Sequence, residues 1–260
     1  MRTPPPYPSS GHALLDAKVV VVTASAGTGI GFATAQRCAE EGATVVLSDH
    51  HERRLGESAA RLAELTGSEP LAVVCDVTDE SAVQGLFDAT IDAHGRIDVL
   101  VNNAGLGGTA NVAEMTDQQW SNVLDVTLTG TFRCTRAALT RMIPQGSGVI
   151  VNNASVVGWR AQVGQAHYAA AKAGVMAFTR CSALEAAPHG IRINAVSPSL
   201  AMHAFLAKVT TQELLDELST QEAMGRAAEP WEVANVIVFL ASDYATFMTG
   251  EVVSVSSQHP

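Results

Sequence analysis

Tyr168 and Lys172 lie four residues apart in the Ala-rich run AHYAAAKAG, a pattern that predicts a helix. That spacing stacks both side chains on one helical face, one turn apart. Thirteen residues before Tyr168, Ser155 ends the apolar run GVIVNNAS, which predicts a buried strand. A hydroxyl, a phenol and an ammonium brought together suit proton exchange with a carbonyl or an alcohol. The phenol alone is a poor acid or base at neutral pH, since its ordinary pKa is about 10. A neighbouring ammonium favours phenolate and lowers that value, which makes Tyr168 the candidate acid/base. Ser155 is the candidate holder of the substrate oxygen.

The rest of the chain must position this set and supply the second reactant. KVVVVT at 18–23 predicts a buried strand, and ASAGTGIG follows it directly, before the helical run FATAQRCAEEG. Strand-like runs then alternate with helix-like runs through ATVVLSD, PLAVVCD, RIDVLVNNAG, GVIVNNAS, GIRINAVSP and EVVSVS. That alternation predicts right-handed βαβ units, a parallel sheet and helices on both faces. A long helix is expected from Asp117 to about Met142. Residues 199–228 break the pattern. They read as a loop with short helices at Ala201–Lys208 and Gln212–Glu222, past the C-terminal end of a strand, and so as a substrate lid.

Gly27, Gly29 and Gly31 lie between the first strand and first helix, where backbone amides and a helix N-terminus can receive a pyrophosphate. Asp49 ends the second strand, eighteen residues beyond Gly31. A carboxylate there suits both ribose hydroxyls and repels a 2′-phosphate, which favours NAD. A helix N-cap is the competing role for Asp49. His50, His51, Arg53 and Arg54 soften the bias, so NADP stays open. Asp76 and Val77 end the third strand and Asn102–Gly105 the fourth, at the same sheet edge as the glycine turn. Taken alone, they read as a cap and a turn.

The bulk numbers narrow the partners. A formal charge of −10 argues against broad nucleic-acid or anionic-membrane binding. No apolar run is long enough to span a bilayer. Cys38, Cys75, Cys134 and Cys181 form no CxxC pair and read as buried free thiols. The histidines show no metal-ligand spacing, so no metal is expected. Residues 1–14, Pro/Ser-rich and without an apolar core, read as a flexible arm rather than a secretory signal. The expectation is one cytoplasmic domain over 15–260.

Together these residues resemble the short-chain dehydrogenase/reductase family from Lys18 to about Ser256. The glycine turn, NNAG at 102–105, the Ser155…Tyr168-x-x-x-Lys172 set and MTGEVVSV recur in family order. The resemblance implies a Rossmann-like, doubly wound sheet of about seven strands, and hydride transfer between a nicotinamide and an alcohol/carbonyl pair. It implies that Tyr168 is the acid/base and that Ser155 positions the substrate. Lys172 would bind the nicotinamide ribose and lower the Tyr168 pKa. Cofactor contacts would come from Ala24, Ser25, Gly27, Thr28, Gly29, Ile30, Gly31, Asp49, Asp76, Val77, Asn103 and Ala201.

Four departures stand out. Ala24 replaces the family's first Gly, in a turn with one extra residue. Thr127 stands where the family places an Asn whose carbonyl serves a proton relay. Pro198–Ser199 replaces Pro-Gly, with His203 where a Thr is usual. Ser256–Ser257 replaces the terminal Gly-Gly. AGTGIG, SDHHERRLGE, ASVVGWRAQ and SVSSQHP resemble an actinobacterial group acting on hydroxyacyl-CoAs from steroid ring breakdown. NADPH-dependent 3-oxoacyl-acyl-carrier-protein reductases are the alternative, and a nucleotide-sensing member the third reading. The family also implies a homotetramer. Trp159, Arg160, His167, His203 and Phe205 are candidate substrate-side residues, each with an ordinary packing or surface reading beside it. Gln258–His259–Pro260 is a candidate reach into a neighbouring subunit.

Overall fold

The computed structural model describes Tyr7, residues 11–202 and residues 212–257. Its sheet joins β1 (Val19–Val22), β2 (Thr44–Asp49), β3 (Leu71–Val74), β4 (Val99–Asn102), β5 (Gly148–Asn153), β6 (Ile191–Pro198) and β7 (Val252–Val255). The seven strands are all parallel, in the order β3-β2-β1-β4-β5-β6-β7. The chain enters at β1, winds outward to β3, then returns past β1 to β7. Parallel winding brings every strand's C-terminal end to one edge. Ala24, Asn103 and Ser155 therefore meet there although they are far apart in sequence.

The strands are β-branched and buried because helices cover both faces. The first face packs Val20, Val22, Leu47 and Val101 against Phe32 and Cys38 of α1 (Ile30–Glu40), Leu55 of α2 (Glu52–Thr66) and a C-terminal helix at Pro230–Ala241. On the opposite face, Val19, Val21, Leu100 and Ile150 meet Leu86 and Phe87 of α3 (Glu80–His94) and Met142. The two-residue alternation of side chains explains why neighbours in β1 join different cores.

The long helix is interrupted. It comprises α4 (Asp117–Leu124), a π-helical turn at Asp125–Thr129 and α5 (Gly130–Gln145). It starts on a capping box between Thr116 and Gln119 and runs to Gln145, three residues past the expected stop, where Gly146 ends it in a left-handed conformation. The next helix, α6, spans Ala166–Ala186.

The insert before the last helix also differs from expectation. Ala201 forms a parallel bridge with Ala228 in place of a helix start; Met202 N donates to Ala228 O and Ala228 N to Leu200 O. The rest of the expected first short helix lies outside the described residues. The second is α7 (Gln212–Thr220), two residues shorter than read, and α8 is Pro230–Ala241. Cys38, Cys75 and Cys134 are buried free thiols, whereas Cys181 is exposed, against the expectation of four buried thiols. Helix α6 buries one stripe, at Val175, Thr179 and Ser182, and Cys181 falls outside it.

Within the expected arm, Tyr7 and residues 11–14 lie in the described portion and rest on α1. The Tyr7 hydroxyl bonds Glu40, and the backbone amides of His12 and Leu14 donate to Glu41. Glu41 is buried and paired with buried Arg37 at 2.7 Å; Arg37 also donates to Asn235 of α8. One buried ion pair thus joins the N-terminal segment, α1 and α8. Hydrogen bonds at every face of the pair are what make such burial tolerable.

Candidate active site

Tyr168 and Lys172 project from the first two turns of α6. Ser155 sits just past β5, as the N-cap of a short 3-10 turn at Val156–Gly158. The Ser155 hydroxyl neighbours the Tyr168 phenol, and its Oγ accepts from Val157 N at 3.3 Å. Lys172 is 3% exposed; its Nζ donates to the Asn153 carbonyl at 2.5 Å and lies 5.6 Å from the Tyr168 ring centroid. Gly105 covers it closely: a Cβ there would sit 3.4 Å from Nζ.

Burial raises the Tyr168 pKa, and the neighbouring Ser155 hydroxyl opposes the rise. Burial also brings Lys172 down to about 8. The expected lowering of Tyr168 by Lys172 does not emerge: desolvation acts on both groups and disfavours each charged form.

Thr127 lies in the π turn, 1% exposed. Its hydroxyl accepts from Leu106 N at 3.0 Å and donates to Leu106 O at 3.2 Å, clamping one residue of the loop after β4. Its carbonyl accepts from the Thr131 hydroxyl at 2.8 Å. The side chain that replaces the family's Asn thus faces the same edge as Ser155 and Lys172.

The glycine turn follows its own path. Ala24, where the resemblance expects Gly, has φ +48, a left-handed conformation that costs a side-chain-bearing residue about 1–2 kcal/mol. Ser25 is buried and exchanges hydrogen bonds with the Ser48 backbone. Ala26 N donates to Asp49 Oδ2 at 3.3 Å, and Gly27 N to the Ser58 hydroxyl at 2.9 Å. The extra residue is taken up by leaning the turn against β2 and α2. Serine 58 gave no sign in the sequence; only the path of the turn reveals its role. Thr28 is exposed, and Gly29 caps α1 without any side-chain hydrogen bond. Gly31 packs so closely that a Cβ would meet Ala24 O at 2.3 Å and Asn103 Nδ2 at 2.5 Å.

Asp49 is buried and is not the cap of α2; His51 holds that position, and its amide donates to Asp49 Oδ1 at 3.0 Å. Asp76 is exposed and folds back on Thr78, whose amide and hydroxyl hold its carboxyl below the usual range. Asp79, not Asp76, caps α3. Val77 is buried against Gly130. Helix α1 offers N-terminal amides that no side chain caps, beside the buried Asp49 carboxylate. These groups fit a dinucleotide: the α1 amides as donors for its pyrophosphate, the Asp49 carboxylate as acceptor for its ribose hydroxyls.

On the substrate side, His167 is buried with Nε2 facing Gly108, and its Nδ1 has no partner among the described residues. Leu106, Val112, Trp159 and Val163 are exposed on two adjoining loops, which Ala110 N ties together through Gly164 O. Arg160 stands on the second of these loops. His203, Phe205 and Gln258–Pro260 lie outside the described residues. Glu222 is buried at the foot of the insert, where its carboxylate accepts from Leu200 N and from both the amide and hydroxyl of Ser257.

Comparison with known proteins agrees with this geometry. Residues 24–257 match the family model described as Enoyl-(Acyl carrier protein) reductase. A protein of Mycobacterium tuberculosis (strain ATCC 25618 / H37Rv), named (5R,7aS)-5-hydroxy-7a-methyl-1-oxo-2,3,5,6,7,7a-hexahydro-1H-indene-carboxyl-CoA reductase, is 66% identical over 98% of each chain. The crystal structure of a short chain dehydrogenase from Mycobacterium smegmatis aligns with TM-score 0.87 and 58% identity, over 98% of each chain. NAD+-bound xylitol dehydrogenase matches with TM-score 0.87 and 35% identity, over 94% of this chain and 99% of that one. An actinorhodin polyketide ketoreductase with NADPH matches with TM-score 0.87 and 34% identity, over 93% and 96%.

The buried ammonium gives a direct check. The chain has three lysines, Lys18, Lys172 and Lys208, so a 13Cε-lysine NMR titration is readily assigned. Lys172 should lose its charge as pH rises through about 8. Its folded pKa lies below the unfolded value of about 10.4, so folding stability should rise with pH between those two points. A midpoint above pH 10 would contradict the burial described.

Proposed function

The chain belongs to the short-chain dehydrogenase/reductase family, and from that membership we propose that Ser155, Tyr168, Lys172 and Thr127 form its catalytic centre. It is an oxidoreductase that uses a nicotinamide cofactor. The observation that carries the proposed roles is the buried Lys172 ammonium 5.6 Å from the Tyr168 ring centroid, with the Ser155 hydroxyl neighbouring the same phenol. Tyr168 Oη passes the proton to or from the substrate oxygen, and Ser155 Oγ holds that oxygen in reach. The bound nicotinamide supplies or takes the hydride. Lys172 holds positive charge beside the phenol, and Thr127 fixes the Leu106 peptide against the site.

The cofactor proposed is NAD. Buried Asp49, free of any capping duty, supports a ribose diol partner and opposes a 2′-phosphate. For substrate, the 66%-identical relative's name supports a hydroxyacyl-CoA thioester bearing a fused ring. Exposed Leu106, Val112, Trp159 and Val163 supply apolar surface for such a ring system. The insert at 199–228 is the proposed lid, closed at its base by the Ala201–Ala228 bridge and the Glu222–Ser257 contacts. Three buried free thiols support a reducing, cytoplasmic setting. Phe132, Leu184, Phe239 and Phe247 are exposed on α5, α6 and the C-terminal region, which supports a homotetramer.

Steady-state kinetics should show NAD(H) favoured over NADP(H) by about tenfold or more in kcat/KM, with a hydroindane-type acyl-CoA preferred to a simple 3-hydroxyacyl-CoA. The reverse cofactor order would remove the Asp49 role. Tyr168→Phe should lower kcat by roughly 100- to 10,000-fold while cofactor binding persists. Near-normal turnover would sink the proton-transfer assignment. Light scattering should return four times the chain mass, and a monomer would refute the assembly.

A further inference from the structure

Strands β4 and β5 end in the same tripeptide: Asn102–Asn103–Ala104 on one, Asn152–Asn153–Ala154 on its neighbour. Their register pairs Asn102 with Asn152. Because successive side chains point to opposite sheet faces, two asparagine pairs form, back to back. The first pair is structural. Asn102 Nδ2 donates to Asn152 Oδ1 at 2.8 Å and to Thr135 of α5 at 3.0 Å, and Asn152 Nδ2 donates to Thr179 of α6 at 2.9 Å. It is a wholly buried network that ties two helices to the sheet.

The second pair faces the glycine turn. Asn153 Nδ2 donates to Asn103 Oδ1 at 2.9 Å. Asn103 Nδ2 in turn donates to Thr23 O at 3.2 Å and Ala24 O at 3.0 Å, while Asn103 N donates to the Thr23 hydroxyl at 3.0 Å. The amide of Asn103 is thereby oriented from both ends. Reversing it would set its oxygen against two carbonyls and its NH2 against the NH2 of Asn153. Ala24 is the strained residue of the turn, and Gly31 packs against both Ala24 O and Asn103 Nδ2. From the same residue, the Asn153 backbone carbonyl accepts the Lys172 ammonium. Asn153 Oδ1 is sealed from solvent, with no partner among the described residues.

We propose that Asn153 is a positioning residue: its side-chain amide sets Asn103 and, through it, the glycine turn, while its carbonyl sets Lys172. One residue at the end of β5 thus aligns the dinucleotide cradle with the catalytic ammonium. The proposal rests on the cofactor reading given above, but concerns binding and not the chemical step.

Cofactor affinity tests it, read as the dissociation constant of NADH by fluorescence titration of the full chain. Asn153→Leu removes the donor at similar volume, and Asn153→Ala removes it without risk of overpacking. Both should weaken NADH binding by roughly five- to fiftyfold, because Asn103 Oδ1 is left unpaired. Asn103→Ala should weaken it too, and the Asn103→Ala/Asn153→Ala double variant should bind much as the weaker single variant does. That non-additivity is the signature of one chain of contacts. Thermal destabilisation with an unchanged dissociation constant, or effects that simply multiply, would overturn the role. Turnover by Tyr168→Phe bears on the catalytic assignment and leaves these binding readouts standing.

Discussion

An ammonium group withdrawn from water at the end of β5 is the constraint around which the site is built. Lys172 is among the few buried charges in the chain, and burial alone brings its pKa to about 8. Such a group needs a fixed acceptor, and a strand terminus provides one, because its last carbonyls have left the ladder. Asn153 O is that acceptor. The lysine must come from a helix that starts beyond the same edge, and it needs a neighbour lacking a side chain, which Gly105 supplies. The parallel sheet, the turn after β4 and the start of α6 all answer to that requirement.

A buried ion pair between Arg37 and Glu41 obeys the same logic. Arg37 and Glu41 are both nearly inaccessible, and every oxygen of Glu41 receives a donor, from Arg37 or from the backbone of His12 and Leu14. His12 and Leu14 lie where a carboxylate needs amides. Burying a charge thus recruits chain that would otherwise gain little from order.

Much of this was legible in the sequence because it depends on periodicity and on residues that report their own chemistry. Runs such as VVVV and the Tyr168/Lys172 spacing announce strand and helix without reference to anything distant. Ser58, Asn153 and the Thr127 clamp on Leu106 were not legible. A serine in mid-helix or an asparagine at a strand end looks ordinary until the partner, tens of residues away, is known. The doubled Asn-Asn-Ala at 102–104 and 152–154 was the available signal, and it takes meaning only once β4 and β5 are known to pair in register. The Tyr168 pKa failed for a different reason. Proximity in sequence predicts a charge–charge effect, but not the desolvation that sets the direction here.

The π turn at Asp125–Thr129 has an effect that reaches beyond the site it serves. A turn of this kind winds one more residue than an α turn, so the helix on either side keeps its axis while its faces rotate relative to each other. Gln119 closes the cap at one end and Gly146 the stop at the other. The helix can therefore hold its packing stripes against α3 and α6 while presenting Thr127 on a heading that a regular spiral would deny it. Gain or loss of a single residue here is a rotary adjustment: it re-aims one side chain at the reacting edge and leaves the scaffold at both ends in place.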